Sequence, residues 1–72
     1  MTVKASIEHA ARELGVELDW GAKIRPGDLY LAERNTGPHL LTAKEIHPCN
    51  FIIPVEFPAY PYDVQDCVKV KP

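Results

Sequence analysis

No apolar run among the 72 residues approaches the roughly 18 that a membrane-spanning helix requires. A secretory pattern is missing too: beyond Lys4, where an apolar stretch would stand, come Glu8, His9, Arg12 and Glu13. The expected location is therefore cytoplasmic, where Cys49 and Cys67, two thiols in all, are expected reduced and packed as small hydrophobes. There is no paired C-x₂₋₄-C ligand cluster. His47 and Cys49, with the distant Asp66 and Cys67, lack that spacing, so no metal is expected. Glycines stand at positions 15, 21, 27 and 37, too scattered for a G-x-G-x-x-G or Walker loop, and no cofactor is expected. Nor is there an excess of base. Eight Lys and Arg against ten Asp and Glu leave a net charge of −2, which argues against a general polyanion binder.

The chain has room for one domain, spanning residues 1–72. A core this small rarely supplies more than about 3–5 kcal/mol, so oligomerisation is a live expectation. It seldom encloses the roughly 300 Å³ or more that small-molecule chemistry prefers. Neither cysteine has an activating neighbour in the sequence, and the carboxylates Asp63 with Asp66, or Glu45 with Glu56, have no motif around them. The chain does not read as an enzyme.

What is present reads as α+β. Val3, Ile7, Ala10, Ala11 and Leu14 recur at helical spacing with charged residues between them, which predicts an amphipathic helix over residues 3–14. Thr2 suits its N-cap and Gly15 its left-handed end. The words AARELGV at its end, residues 10–16, resemble the opening of a DNA-binding helix-turn-helix. A recognition helix must then come at once, whereas Val16, Leu18 and Trp20 alternate with acids and Pro26-Gly27 follows too soon.

Pro26-Gly27 fits the centre of a type II turn, launching a strand from Asp28 to Arg34. Its partner runs from His39 to Ile46. A three-residue Asn35-Thr36-Gly37 loop gathers Leu29, Leu31, Leu41 and Ala43 on one apolar face, but leaves Pro38 closing the hairpin without an N–H. A longer loop including Pro38 scatters the leucines. The first register is preferred, because leucine burial outweighs one hydrogen bond of about 1 kcal/mol.

A turn at 47–50 leads to a third strand, Phe51–Phe57, expected to be an edge or bulged at Pro54. A stiff Phe-Pro-Ala-Tyr-Pro-Tyr connector follows, then an Asp63-capped turn and a short strand, Cys67–Val70. The sum is an N-terminal helix packed on a small, antiparallel, strongly twisted sheet of three to four strands. An SH3-like barrel is its specific version.

The aromatics are the most suggestive side chains. Trp20, Phe57, Tyr60 and Tyr62 lie in or beside loops, where Tyr and Trp anchor interfaces; their competing role is to cover the open end of an undersized core. The hairpin tip adds Arg34, Asn35 and His39. These seven are the candidate partner-binding residues of a small non-enzymatic interaction module, its partner another protein or a second copy paired along an edge strand, Cys67–Val70 or Phe51–Phe57. The alternative is a nucleic-acid-binding small barrel using Lys23, Arg25, Arg34, Lys69 and Lys71, with Trp20 or Tyr60 as stacking platforms.

The run Glu33-Arg34-Asn35-Thr36-Gly37-Pro38-His39-Leu40-Leu41-Thr42, with Tyr60-Pro61-Tyr62-Asp63 and Asp66-Cys67-Val68-Lys69-Val70, resembles short uncharacterised bacterial proteins carried on mobile, integron-type gene cassettes. The resemblance implies a bacterial, intracellular, stand-alone protein. It brings no catalytic or ligand residues with it.

Overall fold

The helix forms where its periodicity places it. In the computed structural model, which describes residues 2–34 and 37–72, α1 spans Val3–Leu14. Thr2 Oγ1 accepts the Ala5 amide at 3.1 Å. Gly15, at φ 70°, lets its own amide and that of Val16 turn back onto the Arg12 and Ala11 carbonyls, satisfying groups a helix end otherwise leaves open. Ile7 and Ala11 are buried against Leu31, Val68 and Val70. Cutting Ile7 back to alanine is expected to cost about 2–5 kcal/mol.

Six antiparallel strands make one sheet: β1 (Leu18–Asp19), β2 (Leu29–Arg34), β3 (Gly37–His47), β4 (Phe51–Pro54), β5 (Tyr62–Asp63) and β6 (Cys67–Val70), in the order β1-β6-β2-β3-β4-β5. The fold is α+β, but with more strands than three to four, and the sheet does not close into a barrel. The two extra strands are two-residue segments, too short for alternation to be read. One is recruited by the pairing of Leu18 with Val70 and the other by that of Ile52 with Tyr62. A turn of 3₁₀ helix at Val64–Asp66, capped by Asp63 through the Gln65 amide at 3.2 Å, separates β5 from β6. That interruption lets one run of chain serve opposite halves of the strand order without a continuous ladder.

Two strand assignments change with this order. β6 lies between β1 and β2, and β4 between β3 and β5, so neither is the free edge that two-fold pairing would need. β4 also stops at Pro54, short of Phe57. Pro54 pairs with Ala43 beside an irregularity between Ala43 and Glu45, as expected of a residue with no N–H to give a ladder.

The hairpin register is neither of the two weighed. Arg34 pairs with Gly37, Glu33 with Pro38 and Leu31 with Leu40, so two residues, Asn35 and Thr36, intervene. The Ala43 amide donates to the Asp28 carbonyl at 2.9 Å; alternating from there, Glu33–Pro38 falls in a non-hydrogen-bonded pair. Pro38 thus loses nothing by lacking an N–H. The leucines divide between faces because both faces are covered. Tyr30, Leu31 and Ala32 are all fully buried, the continuous pattern of a two-sided strand. Leu31 faces the helix, while Tyr30 and Ala32 join Ile24, Leu41, Ala43, Ile52 and Tyr62 in a second core on the opposite face.

The type II turn stands as read. Gly27 sits at φ 93°, the Asp28 amide donates to the Arg25 carbonyl at 3.0 Å, and the Asp28 carboxylate accepts the Arg25 amide at 2.8 Å. Among the described residues no helix is long and apolar enough to cross a membrane.

Candidate functional site

The second core does not end at the sheet. Arg34 and His39 share its face by strand alternation, and the connector after β4 folds back over them. Two anchors hold that connector: the Val55 amide donates to the Thr42 carbonyl at 2.9 Å, and the Glu56 carboxylate accepts both the Thr42 amide (2.9 Å) and its hydroxyl (3.0 Å). Burial works against the charged form of Glu56, yet these hydrogen bonds prevail and hold its carboxyl below the ordinary value. A further turn, Tyr60 amide to Phe57 carbonyl at 2.9 Å, sets the two rings.

The result is a chain of rings running from core to surface. Tyr30 meets Tyr62 edge-on at 6.4 Å, and Tyr62 meets Tyr60 at 5.6 Å. The Arg34 guanidinium lies 3.5 Å from the centroid of Tyr60 and within 6 Å of Phe57 and Tyr62, at 5.5 and 5.8 Å. Its Nη1 donates to Tyr62 Oη at 3.3 Å. That hydrogen bond is the main reason its pKa is raised further, against the opposing effect of burial. His39 closes the outer side, edge-on to Phe57 at 6.4 Å.

Five of the seven candidate residues, Arg34, His39, Phe57, Tyr60 and Tyr62, therefore come together. They are not equivalent. Tyr62 is 4% exposed and belongs to the core, as the core-covering role requires, while Phe57 (43%) and Tyr60 (45%) face solvent. Asn35 lies outside the described residues. Trp20 stands apart, 46% exposed, with the Lys4 ammonium 5.2 Å from its ring. It walls a cleft of about 460 Å³ whose floor includes Ile24, Ile52 and Val64 and whose rim carries Lys23 and Lys69.

That cleft is larger than the sequence argument expected, and it falls in the range of small-molecule sites. Burial moves the Cys67 thiol in its lining the wrong way for a nucleophile, its pKa pushed up to about 12. Among the described residues no group of three His, Cys, Asp or Glu side chains is placed to hold a metal ion. Comparisons with protein-family models, curated proteins and solved structures gave no match.

The sequence reading missed Glu56 as an anchor, having considered it only as one of a carboxylate pair. Its sign in the sequence is the Pro54 interruption: β4 ends there, and something other than backbone must then meet the outward amide of Thr42.

Proposed function

We propose that this chain is a small non-enzymatic interaction module, cytoplasmic and bacterial as its resemblance implies, that docks a protein partner or a second copy of itself on the Arg34 cluster. The observation that carries this reading is the convergence of an arginine and four aromatic or imidazole side chains from two separate segments onto one exposed end of the sheet. Arg and Tyr are the residue types that dominate interface energetics. Here they are held in place before any partner arrives, which lowers the ordering cost of binding.

Strand addition is the less favoured way for a second copy to dock. Beyond its pairing with β4, the outer side of β3 presents only the Leu40 backbone between Pro38, which has no donor, and Thr42, whose amide the Glu56 carboxylate already fills. Edges treated in this way resist pairing. Side-chain packing around Phe57 and Tyr60 is the mode the surface suits.

Sedimentation of the wild-type chain across micromolar concentrations, beside Tyr60→Ala, tests self-association. A dimer weakened by Tyr60→Ala supports docking of a second copy. For a heterologous partner, amide shifts confined to residues 33–42 and 55–62 on adding a bound protein are expected. Shifts centred elsewhere would sink the reading.

The nucleic-acid alternative has one observation in its favour: Lys4 lies over the exposed Trp20, and Lys23 and Lys69 line the cleft that Trp20 walls. Against it, Asp19 lines the same cleft, and Lys69 is paired with Asp28 at 3.4 Å. Trp20 is the chain's one tryptophan, so its fluorescence reports binding directly. Quenching by single- or double-stranded oligonucleotides at low salt, relieved by added salt, would bring this reading forward.

A further inference from the structure

Among the described residues Arg34 is a cation without a counter-ion. The ion pairs among the described residues are His9–Glu13 and Lys69–Asp28, and every acid close to Arg34 along the strands is turned elsewhere. Glu33 projects from the opposite face of β2 by alternation. Glu56 is bonded to Thr42, and Asp63 to the Gln65 amide and side chain. One guanidinium N–H donates to Tyr62. A second hydrogen bond engages the Tyr60 side chain, but no carboxylate among the described residues pairs with Arg34. A guanidinium has five N–H donors in a rigid planar fork, more than the two tyrosines take up, and stacking on Tyr60 at 3.5 Å fixes the plane of that fork.

From this we infer that the Arg34 cluster, read as the docking site proposed above, recognises a carboxylate: an aspartate or glutamate side chain in an extended, acidic segment of a protein partner. A stacked, unpaired guanidinium binds a planar carboxylate through two parallel N–H···O bonds, which a lysine ammonium cannot reproduce. The exposed rings of Phe57 and Tyr60 flank the fork, so the acidic residue is accompanied by an apolar neighbour lying on those rings. The ligand class is thus a short stretch in which an acidic and an apolar residue stand two apart, because alternate side chains of an extended peptide point to the same side.

The test is a titration followed by amide and arginine side-chain NMR. The probe is a short acetylated and amidated peptide with glutamate and leucine two residues apart and serine between them, and its control is the same peptide with glutamine for glutamate. The glutamate peptide is expected to shift the Arg34 Nε–H signal and the amides around His39, Phe57 and Tyr60. The glutamine peptide is expected to bind at least about tenfold more weakly, and Arg34→Lys to lose a similar factor while keeping its charge and a native spectrum. Equal binding of the two peptides, or no loss in Arg34→Lys, would overturn carboxylate recognition. So would failure of the glutamate peptide to bind at millimolar concentration. If the cluster then still mediated self-association or partner binding sensitive to Tyr60→Ala, the module reading would survive without this inference. An oligonucleotide that shifted the Arg34 signal in place of the peptide would reassign the site.

Discussion

Arg34 and Tyr60 stack at 3.5 Å, and through that contact the tip of the β2–β3 hairpin holds the connector that follows β4. The two segments are tied by side chains where no backbone ladder joins them. Removing the guanidinium should therefore loosen the connector and leave the sheet intact. In Arg34→Ala, exchange of the Tyr60 amide, bonded to the Phe57 carbonyl, is expected to quicken roughly two- to fivefold, the worth of an exposed cation–π contact. Exchange in the centre of β2 should be unchanged. Equal acceleration in both places would mean that Arg34 supports the whole fold.

Pro38 is the residue on which the sequence and the structure parted. The preferred register made it the closing residue of the hairpin; in the observed pairing it faces Glu33 and needs no N–H. Pro38→Ala is expected to cost about 0.5–1 kcal/mol, through the greater freedom of the unfolded chain. Had Pro38 closed the hairpin, alanine would have restored a hydrogen bond and raised stability. Gly37→Ala provides the contrast. At φ 103° with open space around it, the added methyl meets no neighbour but strains the backbone, at a cost of about 1–3 kcal/mol. Urea midpoints of the two variants separate the registers.

That disagreement shows how much of the molecule can be read from residues. The helix, its two caps, the Pro26-Gly27 turn and the Asp63-capped turn were legible because each depends on a few neighbouring residues. The register was misread because a single apolar face was assumed. Leu31 and Leu41 lie on opposite faces, both buried, one under α1 and the other in the second core. Leu18–Asp19 and Tyr62–Asp63 became strands through partners distant in sequence, which no local pattern encodes. Most of the candidate site was legible as residue types, since polar-tipped aromatics and an arginine in loops are natural anchors. Their convergence was not, because the anchors that fold the connector back, Glu56 on Thr42 and Tyr62 on Tyr30, act across the sheet. Trp20 had the same composition signal and lies elsewhere.

Tyr30 is fully buried, and its hydroxyl has no hydrogen-bond partner among the described residues. Burial, with smaller effects from Cys67, Tyr62 and Glu56, raises its pKa. A buried hydroxyl without a partner costs about 1–3 kcal/mol, so Tyr30→Phe is expected to be neutral or to stabilise by about 1 kcal/mol. Its edge-on contact with Tyr62 is kept, since the ring remains. A loss above about 1 kcal/mol in thermal or urea unfolding would show that the hydroxyl has an acceptor.

Glu56 sets the acid limit of the connector. Its folded pKa lies below the ordinary value of 4.5. The stability it supplies is therefore complete above that value and lost as pH falls through the lower, folded one. Glu56→Gln should cost about 0.5–1 kcal/mol at neutral pH, at the small end because the carboxylate is exposed. It should also flatten the fall in stability on acidification. Because Tyr60 is presented by the same connector, peptide binding at Arg34 is expected to weaken together with stability. A glutamine variant with an unchanged acid limb would show that Thr42 does not hold the carboxylate in solution.

The two thiols are expected to behave as unlike groups. Cys49 is exposed, whereas Cys67 places its thiol against the Asp63 carbonyl, as a donor at 3.3 Å. Burial, reinforced by Asp66 and Asp63, pushes the Cys67 pKa from 9.0 up to about 12. A folded pKa above the unfolded one means that stability is complete below pH 9.0 and declines as pH rises toward the folded value. A chromogenic disulfide reagent should titrate the exposed Cys49 rapidly and Cys67 only as fast as the chain opens. In Cys67→Ala the alkaline decline should begin later, near pH 10, where the unfolded chain starts to ionise Tyr30. Two thiols reacting at one rate, or an alkaline limb that Cys67→Ala leaves unmoved, would show that β6 does not hold Cys67 against the core beside Ala32.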